Sequence, residues 1–285
     1  MGTSTLTAQS ALSIFQPNGT TNDALSVSYK AITDQIQKAA LSLKLKNTDI
    51  EGNPMSGSVI VRRLQTAGVQ TYGTARAALA GNKIKNNGIQ VNLDTPLEIV
   101  EEVNKFDLQQ YGLADIIGRR ATSFGLKFAS DLDYRFFNVA VSQGTLYTAP
   151  LFSSMADRIE GLIQSVENTK NQNVDGVDRS MINLTLSTEA YGLIKNLIDK
   201  LPNPVAGGVS VDTFHGVRIY SNIRQTVQAI CMVDGAIAQP VIVIDFATVD
   251  IPLSAETAME MFYKLGTQAV MPDLIKYSTN VEVSA

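Results

Sequence analysis

Residues 114–141 read ADIIGRRATSFGLKFASDLDYRFFNVAV. Within this stretch and just before it, Leu113, Ile117, Ala121, Phe124, Phe128, Leu132, Phe136 and Val139 follow one another at steps of three or four. Side chains at that spacing share one face of an α-helix. The pattern predicts a single amphipathic helix over 107–140, about 30 residues long and on the order of 45 Å. Gly112, Gly118 and Gly125 punctuate it. Each glycine weakens a helix locally, and a bend or a close packing contact is the physical use for one there.

Upstream of this helix the charge changes sign abruptly. From 94 to 115, six carboxylates (Asp94, Glu98, Glu101, Glu102, Asp107 and Asp115) stand against one cation, Lys105, a net charge of −5. From 44 to 93, seven cations (Lys44, Lys46, Arg62, Arg63, Arg76, Lys83 and Lys85) stand against Asp49 and Glu51, a net charge of +5. The basic block contains two strand-like runs, SVIVRRLQTAG from 58 and IQVNLD from 89, with a long polar excursion between them. That order reads as an extended hairpin. It carries few large apolar residues, and a lone two-stranded hairpin is marginal in water, so another surface must support it. Adjacent blocks of opposite sign fit two accounts. They are two solvated faces, or the basic hairpin of one copy lies over the acidic segment of the next, where charge complementarity sets orientation and register. Before the hairpin, Leu25, Tyr29, Ile32, Ile36, Ala40 and Leu43 form one stripe on a predicted helix, with Asn22 or Asp23 as its cap. Residues 1–21 are rich in Ser, Thr, Asn and Gly and read as a loose arm.

Downstream the pattern turns α/β. Met155, Ile159, Leu162 or Ile163, and Val166 mark a second helix, ended by NQNVDG. MINLTLS from 181 reads as a buried strand. TEAYGLIKNLID at 188–199 reads as a helix capped by Ser187 or Thr188. VQAICMV from 227 and VIVIDF from 241 are further strands, and the chain ends in short strand-like runs broken by Gly266 and Pro272. FHGVRIYSN at 214–222 holds the one histidine, His215. It reads as a hairpin: Gly216 turns the chain, Val217 and Ile219 face one side, Arg218 faces the other, and His215 sits structurally at the turn.

Composition bounds the chemistry. The chain has 285 residues, 45% hydrophobic and 18% charged, with a net charge of −4. That is ordinary for a globular protein and too weakly charged for nucleic-acid binding by the whole surface. No apolar run approaches the roughly 20 residues of a membrane span. One cysteine, Cys231, excludes an intramolecular disulfide, and its apolar neighbours AICMV predict a buried thiol. With no signal segment, a reducing aqueous compartment is expected. One His and one Cys are too few for a zinc site. No GxSxG, GxxxxGK[ST] or GxGxxG is present. Asp131 and Asp133 read as a solvated helix face, and Asp245 and Asp250 as strand-end residues. No catalytic, cofactor-binding or metal residue is therefore assigned, and no enzyme activity is expected.

The order of parts resembles the major capsid protein of tailed bacteriophages with the HK97-type fold. The resemblance covers roughly residues 22–285. It rests on GNKIKNNGIQVNLDTPLEIVEEVNKFD (81–107) running into the long helix, on LTLSTEAYGLIKNLID (184–199), and on FHGVRIYSN. It implies an α+β fold with four parts. These are an N-terminal arm with helix (1–46), an extended E-loop (47–94), a P-domain (95–148 and 245–285) holding the spine helix, and an α/β A-domain (149–244). The loop LPNPVAGGVSVD at 201–212 would face a symmetry axis.

The implied function is mechanical. Copies assemble into hexamers and pentamers of an icosahedral shell around double-stranded DNA, which is enclosed without sequence-specific binding. The implied partners are further copies and scaffolding, portal and cement proteins, with no membrane and no cofactor. The implied location is the virion, after assembly in the host cytoplasm. Inter-subunit candidates are Arg62, Arg63, Arg76, Lys83 and Lys85 on one side, and Asp94, Glu98, Glu101 and Glu102 on the other. About 21 loose residues ahead of the arm helix favour a separate scaffolding protein, or none, over a cleaved leader. Some relatives crosslink a hairpin Lys to an Asn near the other end of the chain. Lys83 or Lys85 with Asn280 and Glu282 would be the groups here, although nothing in their spacing demands it. Two other classes stay open: an encapsulin-type nanocompartment shell, and a soluble α/β enzyme or binding module. The second would need a pocket with convergent polar groups.

Overall fold

The computed structural model describes residues 34, 36, 38–64, 86–104, 113–150, 154–199, 213–251 and 256–281. The loose arm, its cap and the first turns of the arm helix lie outside the described residues. So do Arg76, Lys83 and Lys85, the loop 201–212, and Glu282.

In chain order the strands are β1 (Ile50–Glu51), β2 (Ser58–Leu64), β3 (Asn86–Asn92), β4 (Thr95–Asn104), β5 (Thr145–Leu146), β6 (Ile182–Leu186), β7 (Thr213–Phe214), β8 (Val217–Ser221), β9 (Ala229–Val233), β10 (Ile237–Ala238), β11 (Val241–Asp250), β12 (Glu256–Leu265), β13 (Gln268–Ala269) and β14 (Ile275–Ser278). The helices are α1 (Ser42–Leu45), α2 (Leu113–Gln143), α3 (Met155–Glu167) and α4 (Thr188–Asp199). The class is α+β, as the sequence implies. The chain divides into two compact units. The first is Met1–Val59, Gln90–Phe136 and Ala238–Gln268; the second is Ile60–Ile89, Phe137–Ile237 and Ala269–Ala285.

The first unit is built on an antiparallel sheet in the order β11-β12-β4. Its register pairs Tyr263 with Leu97 and Met261 with Ile99. Phe124, Phe128, Ala129 and Leu132 of α2 cluster with Val241, Val243, Met261, Tyr263 and Leu265 of the sheet. Phe128 meets Tyr263 edge-on, with ring centroids 4.5 Å apart, a favoured aromatic geometry. The Tyr263 hydroxyl donates to Asp131 Oδ2 at 3.0 Å, and burial pushes that phenol's pKa well up. The turn after β12 needs Gly266, because a Cβ there would sit 2.0 Å from the Asn92 carbonyl oxygen.

Two sequence readings are corrected in this unit. Asp133 is not a solvated residue: it is 1% exposed. Its carboxylate accepts the backbone N–H of Ser42 at 2.8 Å and of Leu41 at 3.2 Å. Asp131 is half-buried between Arg135, at 2.9 Å, and Tyr263. The arm helix is also not continuous to Leu43. Residues 34, 36, 38 and 39 are helical, the helix breaks at Ala40–Leu41, and α1 restarts at Ser42. Asp133 supplies the reason, since it takes the first donors of α1 that would otherwise continue the ladder.

The second unit is built on a six-stranded sheet in the order β5-β14-β9-β6-β8-β7. Every residue of β6 and β9 is buried, so these strands form its middle. Ile182, Leu184 and Leu186 cluster with Ile159, Leu162, Ile163 and Val166 of α3 and with Ala190 and Ile194 of α4. The expected buried strand and both expected helices are present. α3 opens with a capping box between Ser154 and Asp157. Cys231 is fully buried as expected, and desolvation pushes its thiol pKa far up.

β7 and β8 are joined by His215 and Gly216, with φ of 49° and 87°. A two-residue turn with both φ positive matches the twist of a hairpin. Val217 and Ile219 are buried and Arg218 is exposed, as read from the sequence. Among the other expectations, the long helix is described over Leu113–Gln143 and runs past its expected end at 140, while its expected first residues, 107–112, lie outside the described residues. The last strand-like run before Gly266 is a full ten-residue strand, β12.

Candidate functional site

The features that stand out are two charged clusters and a strand face, taken here unit by unit. In the first unit β4 is an edge strand among the described residues, and alternation divides its carboxylates. Glu98, Val100 and Glu102 are exposed on the outward face, while Leu97, Ile99 and Glu101 lie on the covered side. Glu101 is ion-paired with Arg120 of α2. Across the ladder, Glu260 stands opposite Val100, and Phe262 opposite Glu98. The outward face is thus a row of carboxylates around a half-exposed valine; Val100 is 49% exposed. Asp94 is exposed in the turn between β3 and β4, where it accepts a hydrogen bond from the Thr95 hydroxyl at 3.4 Å.

The basic candidates separate as well. Arg62 is exposed on β2. Arg63 belongs to the second unit and is engaged there. Its two terminal nitrogens donate to the two Asp273 oxygens, each at 2.7 Å. Hydrogen bonds from Arg63 and Asn171 outweigh the opposing effect of burial and hold the Asp273 carboxyl below its usual pKa. Lys46, counted with the basic block, is 6% exposed, and its Nζ is buried with no hydrogen-bond partner. Desolvation pulls that amine down to about 8. It is an interior cation.

The second unit holds the other cluster. Arg179 bonds Glu160 and reaches Glu167 at 3.1 Å. Its Nη1 also donates to the His215 carbonyl at 3.2 Å. His215 Nδ1 lies 2.7 Å from Glu160 Oε2, and the ring stacks on Phe214 at 4.0 Å. The Arg179 hydrogen bonds pull the Glu160 carboxyl down to about 2. The histidine thus pins the β7–β8 turn to α3. Cys231 is buried in the sheet core, so it offers no accessible nucleophile beside the histidine.

A groove of about 210 Å³ is lined by Leu146, Tyr147, Arg158, Ser278 and Asn280 among others. It brings together Asn280 and one guanidinium, but no nucleophile–base pair. Charge-block reasoning missed Arg120, Asp273 and Glu260, whose roles depend on partners distant in sequence. Among the described residues, no helix is long and apolar enough to cross a membrane.

No protein-family model matches the sequence, and no curated protein matches it. Solved structures do. A chain from Mycobacterium phage Che8 is 16% identical with a TM-score of 0.57, covering 81% of this chain and 86% of that one. The capsid structure of the cyanophage P-SCSP1u gives 14% identity and a TM-score of 0.59, covering 85% and 89%. A virus-like particle from Pyrococcus furiosus gives 14% identity and a TM-score of 0.56, covering 90% and 99%. At these identities the likeness is one of fold.

Proposed function

We propose that this chain, which adopts the HK97-type capsid fold, is the major capsid protein of a tailed phage. In this reading it is a structural subunit and not an enzyme. Its copies close into hexamers and pentamers of an icosahedral shell around double-stranded DNA. The observation that carries the reading is the extent of the fold match, which takes in most of the chain and most of each capsid-type chain.

The strand face of β4 supplies the physical support. An apolar centre at Val100 ringed by Glu98, Glu102 and Glu260 has the anatomy of an interface, with a desolvated middle and a charged rim. The complementary surface is the basic hairpin of a second copy, carrying Arg62, Arg76, Lys83 and Lys85. Rim charges of opposite sign steer the encounter and fix its register. Repeated around closed symmetry, many modest contacts add to one stable shell. Scaffolding, portal and cement proteins are the further partners of such a shell. Its place is the virion, after assembly in the host cytoplasm.

A second reading has a specific observation behind it. The likeness to the Pyrococcus furiosus virus-like particle spans nearly all of that chain, which favours an encapsulin-type compartment. Electron microscopy of the purified protein, with sedimentation of the same sample, tests both. Closed particles or capsomer rings are expected. A species that stays monomeric or dimeric at high concentration, with a scaffolding protein supplied, overturns both. Particles from the native source that carry a protein cargo in place of DNA would select the compartment.

A further inference from the structure

Three side chains far apart in sequence meet at the loop-proximal end of β2, all within the second unit. Arg63 is the penultimate residue of β2, in the same inward row as Val59 and Val61, both of which are buried. The row thus ends in a charge where a third apolar residue would be ordinary. The Arg63 side chain is 13% exposed and that of Asp273 26%. Their paired 2.7 Å bonds form a planar fork on a carboxylate, which fixes direction as well as distance. Asn171 donates from its side-chain nitrogen to the same Asp273 oxygen, Oδ2.

Both holders lie in hydrogen-bonded turns. Asp273 lies in the short 3-10 turn Pro272–Leu274, which runs directly into β14, and β14 is paired on both sides. Asn171 is fixed in its own turn, where its side-chain oxygen accepts the N–H of Asn173 at 2.8 Å and of Val174 at 3.0 Å. Arg63 Nε is buried without a hydrogen-bond partner, so the guanidinium is seated for the carboxylate at some cost.

We infer that Arg63, Asp273 and Asn171 form a clasp that fixes the angle at which the second unit holds its part of the β2–β3 pair, residues 60–64 and 86–89, and that shell closure depends on that angle. Valine contacts hold a strand down but are non-directional. The fork adds the missing angle. The second half of the inference rests on the shell reading.

The test uses the full chain with Arg63→Lys and Asp273→Asn, and Lys195→Arg, an exposed position on α4, as the control. The first keeps the charge and loses the fork; the second keeps the shape and loses the charge. Hydrogen exchange is followed in residues 58–64 and 86–92, together with the yield of closed particles. The clasp predicts exchange at least tenfold faster in those two strands, unchanged protection in β6 and β9, and at least a tenfold loss of closed particles. The control should match wild type in both readouts. Wild-type exchange and yield in both clasp variants would overturn the inference. If wild type itself forms no particles, the shell reading falls. The clasp is then judged on exchange alone: faster exchange supports it and unchanged exchange overturns it.

Discussion

The Glu160 cluster and the Glu98 row hold the same kind of charge in opposite circumstances. Glu160 and Glu167 are paired within the subunit with Arg179, and Glu160 Oε2 also lies 2.7 Å from His215 Nδ1. Glu98 and Glu102 stand on an exposed strand face, with Glu260 across the ladder and an exposed valine between them. Carboxylates that find their cation within the chain hold the fold together. Carboxylates lined up around an apolar residue on an open face contribute little to the fold and are available to a neighbour. The contrast separates stability from assembly residue by residue, and each substitution below presses on one side of it.

The largest effect is expected from Glu98→Lys combined with Glu102→Lys. The pair reverses the exposed row, and assembly should be lost while unfolding free energy changes by less than about 1 kcal/mol, as for surface substitutions. Sedimentation and urea titration read the two quantities separately.

Next comes Lys46→Met. An unpaired buried ammonium is costly, and an apolar side chain of similar length removes the cost. The gain should be on the order of 3 kcal/mol, from the distance between about 8 and 10.5 at about 1.4 kcal/mol per unit. The pH dependence has a definite sign. The folded state holds this proton less tightly than the unfolded one, so wild-type stability should climb as pH rises from about 8 toward 10.5. The variant should lose that contribution to the climb.

Arg179→Met should cost about 1–3 kcal/mol, because it strips the half-buried Glu160 and Glu167 of their shared partner. In wild type, Glu160 stays ionised in the folded state down to about pH 2. Its contribution is fully present above the ordinary carboxylate range and is lost as pH falls from about 4.5 to about 2, and the variant should show a shallower acid limb. His215→Asn should have the smallest effect, under about 1 kcal/mol. Asparagine tolerates the positive φ and loses only the imidazole's contacts.

Much of this was legible in the chain. Apolar steps of three and four marked α2 and α3. TEAYGLIKNLID coincides with α4 from end to end. The His–Gly pair gave the β7–β8 turn, because few dipeptides accept two positive φ angles. What stayed hidden depended on partners distant in sequence. Nothing near Arg63 announces Asp273, 210 residues away. Asp133 looked solvated because its partners are backbone donors of the arm. Lys46 sat in a basic block that implied exposure, and only the fold reveals that it is buried. In β12, ETAMEMFYKL places Met261, Tyr263 and Leu265 on one buried row, an alternation that reading the chain's end as short broken runs passes over. Charge counting found the acidic segment, but only the strand register separated outward Glu98 and Glu102 from Glu101, which Arg120 holds.

The central claim is that the outward face of β4 receives the basic hairpin of a second copy. The direct measurement is zero-length carbodiimide crosslinking of particles assembled from equal amounts of ¹⁴N- and ¹⁵N-labelled protein, read by mass spectrometry. The account predicts mixed-isotope peptides joining Lys83 or Lys85 to Glu98 or Glu102. Crosslinks at those glutamates confined to one isotope, or glutamates left unreacted in closed particles, would contradict it.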